Sequence, residues 1–321
     1  MKSFAIAQAT SAEQVSALLS DDRFSLPVLK AGGMDVLDHL KEGIIDADVL
    51  VNLATVRDEA LRGIGPGRFG ALTTLAELAM SSRIRGDAPV LAQAADSAAT
   101  PQVRNVATAA GNLLQRPRCW YYRSEQFDCL KKDGHMCYAF EGENKFHAVF
   151  GDGPCHIVHP SNIAPALCVL DGAVHLSGSR RASLPLAELF HMPDDGIKDE
   201  HNLERHEVVT HITFDSAPHS GFYAVKEKQS FDWPLVMAAV ALELDGMTIR
   251  SARVCAGAVA PVPWMLPKVQ DALRGVRVDD EAAVKRACAL AIDGATPMTQ
   301  NAYKLKLLPV AIRRAILKAA G

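Results

Sequence analysis

The chain of 321 residues is long enough for about two domains of roughly 150 residues, each with its own apolar core, which excludes a small disulfide-stapled scaffold. Apolar residues make up 49% and charged residues 22%, unlike a disordered or coiled-coil chain, so a compact soluble fold is expected. Lys plus Arg number 34 against 37 Asp plus Glu, and a net charge of -3 gives no general attraction to nucleic acid or an anionic membrane.

The first elements alternate. Phe4 to Ala7 is strand-like, and Ser11 with Gln14 resembles a capping box opening a helix that carries Val15, Leu18 and Leu19. Leu26 to Leu29 is a second apolar run, turned by Lys30-Ala31-Gly32-Gly33-Met34-Asp35 into a helix with Val36, Leu37 and Leu40. Two small residues where a strand becomes a helix let backbone amides approach a phosphate, although an ordinary tight turn needs the same glycines. Val49 to Leu53 is a third strand, and Gly63-Ile64-Gly65-Pro66-Gly67 marks a turn or subdomain seam. Phe69 to Leu72 is strand-like, and helices are expected around Leu75 to Met80 and Pro89 to Ala99.

A second small-residue segment runs from Arg104 to Gln115. Ala107, Ala109, Ala110 and Gly111 leave room for a ligand, while Thr108, Asn112 and Gln115 can supply polar contacts. It is not the usual GxGxxG dinucleotide pattern, and a tightly packed helix junction is the plainer alternative. Ser161 caps a helix with Ala166, Leu167 and Val169. Beyond residue 172 a mixed domain follows: strands over Glu207 to Phe214, Phe222 to Glu227 and Thr248 to Val259, a helix over Pro234 to Leu244, and charged helices over Glu281 to Leu290 and Lys304 to Lys318. Tyr223 and Lys226 lie on one of these strands, where they could face a ligand or simply pack.

Between these parts, Pro117 to Pro160 reads as one long ordered loop, which requires something to hold it together. Four of the seven cysteines, Cys119, Cys129, Cys137 and Cys155, fall within it at spacings of 9, 7 and 17 intervening residues. Four thiolates could hold a [4Fe-4S] cluster or tetrahedral zinc; His135, His147, His156 and His159 keep a mixed Cys/His site open, and plain packing remains a further alternative. No hydrolase, metalloprotease or kinase signature is present, so no residue is assigned a catalytic role.

Taken together, the Lys30-Ala31-Gly32-Gly33 turn, Ala107-Thr108-Ala109-Ala110-Gly111-Asn112 and Asn301-Ala302-Tyr303-Lys304 resemble the FAD-binding medium subunit of the xanthine dehydrogenase and molybdenum hydroxylase family. The resemblance implies an α+β fold: a two-part vanillyl-alcohol-oxidase-like FAD domain, followed by a small α/β domain of the carbon monoxide dehydrogenase flavoprotein type. The expected divisions are 1–60, 61–175 with the iron-sulfur loop at 117–160, and 176–321. The cysteine insertion looks like that of aldehyde oxidoreductase and 4-hydroxybenzoyl-CoA reductase medium subunits, which implies Cys119, Cys129, Cys137 and Cys155 as [4Fe-4S] ligands. It also implies Lys30, Ala31, Gly32, Gly33, Met34 and Asp35 at the FAD pyrophosphate, Thr108, Gly111, Asn112 and Gln115 in a second FAD segment, and Asn162 and Lys226 near the flavin. His159-Pro160-Ser161-Asn162 departs from the family's HPSD by placing an amide where an acid is usual; Met34 and Ala110 are further departures.

The implied role is electron transfer beside two partners, a large molybdopterin-binding subunit and a small subunit with two [2Fe-2S] clusters, as a dimer of heterotrimers. Substrate chemistry, aldehyde oxidation or aromatic hydroxylation, would fall to the large partner. A 4-hydroxybenzoyl-CoA-reductase-like subunit, an autonomous FAD-dependent oxidase and a zinc-stabilised adaptor are the alternatives. Neither a transmembrane run nor a secretory signal is evident, so a cytoplasmic location is expected.

Overall fold

The computed structural model describes residues 2–228 and 231–321. The chain opens as β1 (Ala5–Gln8), α1 (Ala12–Leu19), β2 (Pro27–Lys30), α2 (Val36–Lys41) and β3 (Val49–Asn52). The three strands are parallel, with β3 in the middle: Val51 stands opposite both Ala7 and Leu29. Helix α1 begins where Ser11 Oγ accepts the Gln14 N–H at 3.2 Å. The Gln14 amide reaches back one residue further than a capping box requires, to the Thr10 N–H at 2.8 Å. At the end of β2 the chain passes through Gly33 at φ +80°, a conformation costly for any residue with a Cβ.

A short hairpin, β4 (Ile64–Gly65) and β5 (Arg68–Gly70), leads into a run of helices: α3 (Leu75–Met80), α4 (Ser82–Asp87), α5 (Pro89–Ser97), α6 (Pro101–Arg104) and α7 (Ala109–Leu113). Thr74 and Glu77 form a complete capping box at α3. Residues 114–162 hold little regular structure beyond a 3₁₀ turn at Leu130–Lys132. The chain then forms α8 (Ile163–Cys168), β6 (Ala173–Ser177), β7 (Ser183–Pro185), α9 (Leu186–Leu189) and β8 (Val208–Thr213). These strands join the hairpin in an antiparallel sheet ordered β4-β5-β8-β6-β7. The division expected at 175/176 therefore falls inside β6, a strand whose sheet reaches back to residue 64.

The last part is β9 (Ser220–Lys226), β10 (Pro234–Asp245), β11 (Thr248–Gly257), β12 (Trp264–Met265), α10 (Pro267–Leu273), α11 (Glu281–Ala289) and α12 (Lys304–Ala319). The helix expected over Pro234 to Leu244 is a strand, β10, paired antiparallel with β9 and β11. Both of its faces are buried. Met237, Ala239 and Ala241 join the core of the first 215 residues, whereas Val236, Ala238, Val240 and Leu242 join the core beneath α10, α11 and α12. Burial on both faces erases the polar half of the strand's alternation, and Leu, Met and Ala are strong helix formers, so the sequence imitates a buried helix.

Candidate functional site

Gly32 determines how the two small-residue segments meet. A Cβ at this position would lie 2.2 Å from the Val106 carbonyl oxygen, so only glycine lets the 30–35 turn rest on the chain entering α7. The N–H groups of Ala31, Gly32, Gly33, Met34 and Asp35 donate to no backbone carbonyl among the described residues. The second segment differs: Ala109 N–H donates to Thr73 at 2.8 Å, Ala110 N–H to Ala71 at 3.0 Å and Gly111 N–H to Thr108 Oγ1 at 3.2 Å. Thr108 thus caps α7. Asn112 Oδ1 accepts from Ser161 Oγ at 2.7 Å, and Gln115 bridges the Asn112 carbonyl and Arg118 at 2.8 Å each. The expected ligand residues 108–115 are largely spent on positioning one another, and the free amides belong to the first turn.

Asp35 anchors an ion-pair network below that turn. Its carboxylate lies 3.0 Å from Arg118 and 2.7 Å from Arg123, and it accepts the Arg116 N–H at 2.8 Å. Burial alone would raise the Asp35 pKa, but the guanidiniums of Arg118 and Arg123, with these hydrogen bonds, hold it below the usual carboxylate range. Arg118 also lies 4.7 Å above the Trp233 ring, which ties the turn to the C-terminal part. Lys30 lies at the head of the turn, its Nζ 3.5 Å from the Ala31 carbonyl, and Met34 is exposed. Asn162 and Lys226 meet through Ser97: the Asn162 amide donates to Ser97 Oγ at 3.1 Å, and Lys226 Nζ to the Ser97 carbonyl at 2.5 Å. Ser161 Oγ, accepting the Ala164 N–H at 3.0 Å, provides the cap expected for α8.

Cys119, Cys129, Cys137 and Cys155 line one small cavity of about 20 Å³ with His147 and Lys131. Among the described residues no group of three or more His, Cys, Asp or Glu side chains is arranged to hold a metal ion. A hydrogen bond from the Cys155 thiol favours ionisation of Cys137 and disfavours that of Cys155 itself, and burial is the main cause that raises Cys119, to about 11. Lys131 is buried with Glu200 at 2.6 Å and donates to the Ile197 carbonyl at 2.7 Å.

The irregular segment is held from outside. Asn144 donates to the carbonyls of Ala139 and Gly142 and to Thr299 Oγ1, at 3.0 to 3.2 Å. Asn301 Nδ2 donates to the carbonyls of His147 and Ala148, and Tyr303 Oη to that of Lys145 at 3.0 Å. The Asn301-Ala302-Tyr303-Lys304 segment is therefore the clasp of the cysteine loop, a role invisible in a sequence where the partners lie more than 150 residues apart.

Residues 2–215 match the model of the FAD binding domain in molybdopterin dehydrogenase, and residues 221–319 match the CO dehydrogenase flavoprotein C-terminal domain. The chain belongs to this family of FAD-binding subunits. It is 34% identical over 260 residues to the aldehyde oxidoreductase FAD-binding subunit PaoB of Escherichia coli K12, covering 78% of this chain and 80% of that one. It is 24% identical over 321 residues to the nicotine 6-hydroxylase medium subunit of Paenarthrobacter nicotinovorans, covering 98% and 96%. Its fold is that of the matching chain in the reconstituted CO dehydrogenase of Oligotropha carboxidovorans, with a TM-score of 0.76, 21% identity and 99% and 98% coverage. Quinoline 2-oxidoreductase of Pseudomonas putida 86 gives 0.75, 21% and 100% and 98%.

The expected α+β fold, an FAD domain of the vanillyl-alcohol-oxidase type followed by the smaller flavoprotein domain, is borne out. Family membership makes this chain an FAD-binding subunit of a molybdenum-hydroxylase-type oxidoreductase. Among the described residues, no helix is long and apolar enough to cross a membrane.

Proposed function

We propose that this subunit carries both FAD and a [4Fe-4S] cluster and passes electrons between redox centres of a heterotrimeric molybdenum-containing oxidoreductase. The cluster half of the reading rests on the single cavity shared by Cys119, Cys129, Cys137 and Cys155. Four soft sulfur donors lining one cavity suit an iron-sulfur cluster, which is held by four thiolates. The buried walls, Tyr122 among them, would keep water from the group.

The FAD half rests on the free amides of the 31–35 turn, a concave donor set of the kind that binds phosphate. Ala31, Gly32, Gly33, Met34 and Asp35 would hold the pyrophosphate, with Lys30 beside them. Thr108, Gly111, Asn112 and Gln115 would support the turn from the second segment, and Asn162 and Lys226 would stand at the flavin end, linked by Ser97. Bound FAD supplies two-electron chemistry that can be split into single-electron transfers, while the protein orients it and excludes competing reactions.

The organic substrate would react on a large molybdopterin-binding subunit, and a small subunit with two [2Fe-2S] clusters would complete each heterotrimer of a dimer. The name of the PaoB relative favours an aldehyde as substrate; the nicotine 6-hydroxylase relative favours hydroxylation of a heterocycle. Purification of the native assembly tests the reading. Co-purifying molybdenum with one larger and one smaller partner is expected. This chain alone, loaded with FAD and turning over an organic substrate, would support an autonomous oxidase instead.

A further inference from the structure

His147 lines the cysteine cavity and Lys304 stands behind it, neither with a role in the reading above. His147 is buried, and its Nε2 lies 3.3 Å from Cys119 Sγ, while its Nδ1 has no hydrogen-bond partner among the described residues. A neutral imidazole carries one proton, on Nδ1 or on Nε2. Placing that proton on Nε2 lets it point at sulfur and leaves only an acceptor unpaired; placing it on Nδ1 would bury an unpaired donor.

Lys304 fixes the ring from the other side. It is 1% exposed, and its ammonium donates to the carbonyls of Phe146 at 3.0 Å, His147 at 2.9 Å and Ala258 at 2.7 Å. All three of its protons are thereby used, and burial, with no carboxylate among the described residues to balance the charge, pushes its pKa down to about 7. A buried cation without a protein counter-ion is costly, and four thiolates around iron carry net negative charge.

We propose that His147 is a positioning residue for the [4Fe-4S] cluster, donating Nε2–H to the Cys119 thiolate, and that Lys304 clamps the 146–147 backbone while contributing positive charge beside the cluster. Both contributions favour the reduced, more negative cluster and hold its potential up. The inference rests on the proposed cluster.

The test uses the full-length chain purified anaerobically. Reductive titration followed by electron paramagnetic resonance should place the His147→Leu cluster at a lower potential than wild type, with iron content retained and His147→Gln closer to wild type. Full iron with an unchanged potential in His147→Leu would overturn the proposal. Wild type labelled with ¹⁵N only in histidine covers the case in which that variant fails to fold. A ¹⁵N coupling to the reduced cluster that disappears in His147→Gln is expected, and no coupling in wild type would overturn the proposal. Wild type without iron would instead refute the cluster reading beneath it, which separates the two failures.

Discussion

Gly32→Ala probes the junction on which the proposed FAD site depends. The added Cβ would meet the Val106 carbonyl oxygen at 2.2 Å and its carbon at 2.9 Å, both backbone atoms that cannot swing away. Restoring an ordinary contact requires the 30–35 turn and residue 106 to separate by roughly 1 Å. Overpacking of this kind costs about 1–3 kcal/mol. If the strain is relieved by displacing the turn whose amides receive the pyrophosphate, the same energy appears as an increase of about 5- to 140-fold in the FAD dissociation constant. If it stays in the fold, the melting temperature drops by roughly 2–12 °C. Gly86→Ala is the matched control: Gly86 lies in α4 with nothing within 4 Å of its added Cβ, so alanine should raise stability by about 0.5–1 kcal/mol and leave FAD affinity alone. Flavin fluorescence titration of the apoprotein, beside thermal unfolding, reads both quantities. A folded Gly32→Ala protein that binds FAD within twofold of wild type would refute the placement of the pyrophosphate at this turn.

Asn162→Asp should destabilise by about 1–3 kcal/mol at pH 7, because Ser97 already donates its hydroxyl proton to the Ala94 carbonyl at 2.9 Å and would face the new carboxylate as a second acceptor. The deficit should shrink in acid as the carboxyl protonates and recovers a donor, and melting curves at pH 4 and pH 7 check this. Asp35→Asn should cost about 1–3 kcal/mol at neutral pH by leaving Arg118 without its paired carboxylate and Arg123 with Asp38 alone. Because the folded Asp35 pKa is lowered, its stabilisation is present above about pH 4 and is lost as pH falls through the folded value, so the gap between the proteins should close below that range. Glu200→Gln breaks a buried pair with Lys131 and should cost about 3–5 kcal/mol, measured by denaturant unfolding.

The 30–35 turn was legible in the sequence because its chemistry is local: a strand, two glycines and a helix within a few residues. The same is true of the Ser11 cap of α1 and the Ser161 cap of α8. The density of cysteines between 119 and 155 pointed to one shared environment without revealing its geometry. What the sequence concealed depends on contacts that are distant or on burial from two sides. Strand β10 resembles a helix because no polar face survives, and the 175/176 division fails to mark the end of a sheet that pairs Thr213 with both Arg68 and Ala173. The clasp between Lys304 and the loop around His147 joins residues 157 apart, so no local pattern announces it. Asn112 Oδ1 accepts from Ser161, a contact that no local pattern announces.

Cofactor analysis of the full-length chain, purified anaerobically, bears most directly on the central claim. About four irons and about four inorganic sulfides per chain, with one FAD, are expected if Cys119, Cys129, Cys137 and Cys155 hold a [4Fe-4S] cluster beside the flavin. Stoichiometric zinc with no iron, under conditions that preserve iron-sulfur centres, would contradict it.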